Sequence, residues 1–85
     1  MEFIYLHTKG CNSCYYIELL LRHYNVFNRF KVISKEGLKG IEYIDKYNLN
    51  SVPVILVFNN NELVDIYKDL DKSKVIKMLN KYNLM

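Results

Sequence analysis

The chain has 85 residues, 51% of them hydrophobic and 14% aromatic, with three glycines and one proline. That is ample apolar material for one core in a single domain, residues 1–85, and too much for a disordered chain. The formal charge of +3 is spread without a Lys/Arg block, which argues against nucleic-acid binding, and the longest apolar run, 52–58, is too short to span a bilayer.

The opening MEFIYLHTKG lacks the charged-then-apolar pattern of an export signal, so a reducing cytoplasm is expected. Glu2–Leu6 is a short apolar run ended by Gly10, which predicts a buried strand. From Asn12 to Tyr24, Ile17, Leu20, Leu21 and Tyr24 fall at helical spacing, with Glu18 and Arg22 paired at i,i+4 on another face. FNRFKVIS, residues 27–34, is β-branched and aromatic enough for a second strand. Leu38, Ile41, Ile44 and Tyr47 mark one face of a second helix, closed by Asn48 in the left-handed C′ position with Leu49 as its apolar contact. VPVILVF, 52–58, predicts a third strand, the asparagines at 59–61 a hairpin turn, and 62–68 a fourth strand. Asp71 reads as the N-cap of a last helix whose face is Val75, Ile76, Leu79 and Tyr82. The expected order is β-α-β-α-β-β-α.

Both cysteines, Cys11 and Cys14, lie in HTKGCNSCYY, where the first strand gives way to the first helix. The helix N-terminus points its free N–H groups at Cys11, and those groups favour the charged thiolate. Cys14, one turn inward, shares the side of Ile17 and Leu21. An exposed thiol of low pKa beside a shielded partner suits thiol–disulfide exchange, in which one sulfur attacks and the other resolves the mixed disulfide. A zinc site built from His7, His23 and the two thiols is the rival, and a pair of inert core cysteines a second one. His23 lies nine residues beyond Cys14, more than two turns away, which works against a converging metal site. Lys9 could hold a thiolate or an acidic substrate, and His7 could tune Cys11. Tyr15 and Tyr16 read as rim and core aromatics.

With CNSC closing the first strand and SVP, 51–53, preceding the third about forty residues on, the whole chain resembles the thioredoxin–glutaredoxin superfamily. The resemblance implies an α/β thioredoxin fold with a four-stranded mixed sheet flanked by three helices. It implies a thiol–disulfide oxidoreductase acting in electron transport, with Cys11 as nucleophile, Cys14 as resolving thiol and no cofactor. It also implies that Pro53 is cis beside the cysteines and that the Val52 backbone pairs with an extended substrate chain. The chain departs from the family in several places. Gly10 and Asn12-Ser13 replace the Trp and Gly-Pro that are usual in thioredoxins. Tyr5 stands roughly where thioredoxins bury an acid that serves the resolving cysteine, and a phenol with a pKa near 10 is a poor base. Lys68, Asp69 and Asp71 stand where glutaredoxins seat glutathione on paired glycines. The expected partners are therefore disulfide-bearing proteins and a thioredoxin-reductase-type enzyme rather than glutathione, with the chain acting as a monomer. The alternative is a glutaredoxin-like module that is glutathione-dependent or binds an iron–sulfur cluster.

Overall fold

Phe3-Ile4-Tyr5-Leu6 offers no charged side chain to either face, and a strand of that kind is stable only when both faces are covered. In the computed structural model, which describes residues 1–85, it is central. The elements are β1 (Glu2–His7), α1 (Asn12–His23), β2 (Phe30–Ser34), α2 (Leu38–Tyr47), β3 (Val54–Asn59), β4 (Glu62–Tyr67) and α3 (Lys72–Lys81). The sheet order is β2-β1-β3-β4, with β1 parallel to β2 and the other two pairs antiparallel. Phe3 and Tyr5 pack with Ile17 and Leu21 of α1 and Val75, Met78 and Leu79 of α3. Ile4 and Leu6 face the other way, toward Tyr43, Ile44 and Tyr47 of α2. Strand alternation thus builds a core on each side of one sheet.

All three helices end in the same way. Asn25, Asn48 and Asn83 adopt left-handed φ of 59°, 53° and 56°. The following residue then donates its N–H back to the helix: Val26 to Leu21 O at 3.0 Å, Leu49 to Ile44 O at 3.0 Å, and Leu84 to Leu79 O at 2.8 Å. Each is a Schellman closure with an apolar residue folded onto the core. The tripeptides Tyr24-Asn25-Val26, Tyr47-Asn48-Leu49 and Tyr82-Asn83-Leu84 are therefore one stop signal used three times. The β3–β4 hairpin turns on Asn60 and Asn61, both at positive φ, the requirement of a type I′ turn.

Several expectations need correction. Residues 27–29 form a 3₁₀ turn rather than the start of β2, because pairing with β1 begins only at Phe3↔Phe30. β3 starts at Val54 rather than residue 52, since Pro53 has no N–H to give the ladder. β4 ends at Tyr67, and Asp69, at φ 51°, turns the chain away. On α2 the inward face is Gly40, Tyr43, Ile44 and Tyr47, while Leu38 is 85% and Ile41 47% exposed. Gly40 decides this. A Cβ there would overlap the Ser34 carbonyl oxygen, so the helix packs its glycine against the end of β2. On α3 the buried residue beside Val75 and Leu79 is Met78, not Ile76. Tyr16, expected in the core, is 48% exposed.

Candidate functional site

The site forms at the carboxyl end of β1. His7 ends the strand, and Gly10, at φ 72°, makes the left-handed turn that brings the chain onto α1. Cys11 is the N-cap of that helix. Its Sγ accepts the Cys14 backbone N–H at 3.0 Å, and the Ser13 hydroxyl lies 3.4 Å from the same sulfur. Cys11 and Cys14 are joined as a disulfide. Cys11 is partly exposed, whereas Cys14 is buried among the inward residues of α1, as the helical spacing implies.

The loop carrying Cys11 is anchored from two sides. The Lys35 N–H donates to the His7 carbonyl at 2.8 Å. Glu36 accepts the Ser34 hydroxyl on one oxygen at 2.6 Å and the Thr8 hydroxyl on the other, tying the β1–α1 loop to the β2–α2 loop. The Ser34 and Thr8 hydrogen bonds hold the Glu36 carboxyl below the ordinary carboxylate range. From beneath, the buried Tyr5 hydroxyl donates to the Cys14 carbonyl at 2.5 Å. Burial pushes the Tyr5 phenol well above its ordinary value, and the negative charge of Glu18 pushes it further. Tyr5 is thus a donor that fixes the first turn of α1.

Tyr5, His7, Cys11, Cys14, Tyr15 and Glu18 line one cleft of about 150 Å³. Lys9 is exposed and, with His7, borders a neighbouring cleft whose other walls are Ser34 and Glu36. The Val52–Pro53 peptide bond is cis. Leu6 pairs with Val54, so this bond lies beside the end of β1, next to the cysteine loop. The register Tyr5↔Ile55↔Tyr67 brings Lys68, Asp69 and Asp71 to the same end of the sheet. His23 does not join the group. It closes the last turn of α1, and no three His, Cys, Asp or Glu side chains converge anywhere. No helix is long and apolar enough to cross a membrane.

Four residues of the site escape a reading of the sequence: Thr8, Ser34, Glu36 and Glu18. Glu36 is tied to it only by the fold. Glu18 carries a signal, standing four residues after Cys14 and so one turn along the same side of the helix, but its equal spacing to Arg22 marks it first as half of a surface ion pair.

No family model matches the sequence, and no match is found among curated proteins. Solved structures are similar to it. The oxidised thioredoxin of Plasmodium falciparum superposes with a TM-score of 0.73 at 18% identity, over 94% of this chain and 78% of that one. Thioredoxin O2 of Arabidopsis thaliana in its oxidised state gives 0.69 at 16% identity, over 94% and 72%. Thioredoxin 1 of Thermosipho africanus gives 0.65 at 16% identity, over 96% and 93%. In the order of its elements and its mixed sheet, the chain has the thioredoxin fold.

Proposed function

We propose that the protein is a thiol–disulfide oxidoreductase that exchanges its Cys11–Cys14 pair with protein disulfides, acting chiefly as a reductant in a reducing compartment. One observation carries the reading: Cys11 Sγ is partly exposed at the helix N-terminus with the Cys14 N–H aimed at it from 3.0 Å, while Cys14 is shielded. In the dithiol form those donors favour the charged thiolate at Cys11 over the neutral thiol. The thiolate attacks a substrate disulfide R–S–S–R′, forming Cys11–S–S–R and releasing R′S⁻. Cys14 then attacks the Cys11 sulfur, forming the internal disulfide and releasing RS⁻. The pair stores the two electrons. Val52, beside the cis bond, offers a backbone edge to an extended substrate, and Lys9 offers a charge at the rim.

The crowded, acidic Lys68–Asp71 segment supports reduction by a flavin-dependent thioredoxin-reductase-type enzyme over glutathione, whose carboxylates it would repel. Two arms test the proposal. Cys14→Ser should accumulate mixed disulfides with client proteins while Cys11→Ser accumulates none, and the reverse pattern would swap the roles. NADPH turnover should be fast with a thioredoxin reductase and slow with glutathione and its reductase. Fast glutathione turnover alone would overturn the assignment of the reductant.

A further inference from the structure

We propose that the Glu18 carboxylate is the proton acceptor for Cys14 in the resolving step. The inference rests on the roles given to Cys11 and Cys14 above and supplies the group that β1 lacks. Resolution requires Cys14–S–H to lose its proton as its sulfur attacks Cys11–S–S–R. The proton passes to Glu18, the internal disulfide forms, and RS⁻ leaves with the electron pair of the broken bond.

The cleft walls limit the choice of acceptor. Besides the two cysteines, the titratable groups facing it are Tyr5 and His7 from β1 and Tyr15 and Glu18 from α1. Tyr5 is committed as a donor to the Cys14 carbonyl, and a phenol is the wrong acceptor near neutral pH. The same holds for Tyr15, which is also 62% exposed. His7 is stacked on the Tyr5 ring, centroids 5.9 Å apart, and also faces the neighbouring cleft of Lys9, Ser34 and Glu36. Glu18 follows Cys14 by one helical turn, which brings their Cβ atoms to about 5–6 Å. Arg22 binds its Oε2 at 3.1 Å from the solvent side, leaving Oε1 free. A cleft of about 150 Å³ has room for a few waters, so the proton can cross directly or over one of them.

The test uses the full-length reduced protein and dithiobis(nitrobenzoate), followed by stopped-flow absorbance. Attack by Cys11 releases one nitrothiobenzoate, and resolution by Cys14 releases the second. Glu18→Gln should slow the second release about a hundredfold at pH 7, the lower end of what a positioned base supplies, and leave the first release unchanged. The second phase of the variant should recover as pH approaches the thiol's own titration, and Glu18→Asp should restore part of the rate. An unchanged second phase in Glu18→Gln overturns the assignment, as does a slowing found in His7→Gln but not in Glu18→Gln. A wild-type trace without a second release would instead refute Cys14 as the resolving thiol, and the assignment to Glu18 with it.

Discussion

Asp65 on β4 ties the last turn of α3 to the sheet, and replacing it by Asn measures what its charge contributes. Its Oδ2 accepts the Tyr82 hydroxyl at 2.6 Å, the Lys81 ammonium at 2.8 Å and the Tyr67 hydroxyl at 2.9 Å. Burial pushes the Asp65 carboxyl upward, but hydrogen bonds from Lys81, Tyr82 and Tyr67 outweigh it and hold the group below its ordinary value. Asn keeps the shape and one acceptor oxygen, so both phenols can still donate, to a neutral partner. A hydrogen bond to a charged acceptor is worth roughly 1 kcal/mol more than one to a neutral acceptor. Two phenols set a ceiling of about 2 kcal/mol, and exposed Lys81 adds little. With the Asp65 side chain 23% exposed, the expected loss is about 1–2 kcal/mol, or about 5–15 °C in Tm for a domain of this size. Because the folded pKa is depressed, the stabilisation is fully present above the unfolded value of about 3.9 and is lost as pH falls through the folded one. The gap between wild type and Asp65→Asn should be widest near neutrality and close toward pH 2. Urea unfolding of the oxidised protein, followed by fluorescence of its eight tyrosines, reads both quantities. A gap below about 0.3 kcal/mol at pH 7, or one that stays constant down to pH 2, would refute an electrostatic role and leave Asp65 an ordinary polar surface residue.

Two further substitutions test how the site is held. Gly40→Ala should destabilise by about 3 kcal/mol or more, although Ala favours helix by about 1 kcal/mol, because its Cβ meets the Ser34 carbonyl oxygen and comes within 2.8 Å of Lys35 Cα, backbone atoms that cannot swing aside. A neutral or stabilising result in urea titration would mean that α2 can shift off β2 at little cost. Tyr5→Phe should cost about 1 kcal/mol for the lost bond to the Cys14 carbonyl while leaving the rate of resolution by Cys14 near wild type. A tenfold slower second release would make the phenol part of the chemistry.

The fold was legible wherever one signal acted alone. The apolar block at 3–6, the three-asparagine turn and the αL stop at Asn48 each admit one local structure, and each is found there. Boundaries failed where a distant partner decides. Nothing local in Phe27-Asn28-Arg29 says that the β1 ladder begins at Phe3↔Phe30, and the Arg22 guanidinium over the Phe27 ring at 4.2 Å favours a turn that no strand propensity registers. The phase of α2 failed for a related reason. Leu38 and Ile41 look like core at helical spacing, but the side without a side chain, at Gly40, lets the helix approach closest, and that rotates Tyr43 and Ile44 inward. At the site, Cys11, Cys14 and Pro53 could be picked out because spacing and position in the strand order mark them. Thr8, Ser34 and Glu36 could not, since the Thr8–Glu36 bond that ties the local Ser34–Glu36 pair to the site joins loops separated by 28 residues.

The depth at which Tyr5 sits on β1 sets what that position can hold. β1 is covered on both faces, and Tyr5 itself is 1% exposed. A carboxylate at that depth pays a desolvation cost that raises its pKa, which is what makes a buried acid useful as a base and also what makes it destabilising. Tyr5 fills the same depth without a charge. Its ring packs beside Ile17, Leu21 and Phe27, and its hydroxyl finds an acceptor in the Cys14 carbonyl, so no buried polar atom is left unpaired. Stability and helix placement then come from one uncharged residue. Any charge needed to move the Cys14 proton must stand where water can still solvate it. On α1 the first such place on the Cys14 side of the helix is one turn further, at half-buried Glu18, which lines the cleft and whose Oε2 is held by Arg22. Separating the two tasks lets a chain of 85 residues keep a central strand with no buried charge without leaving its second thiol short of a base.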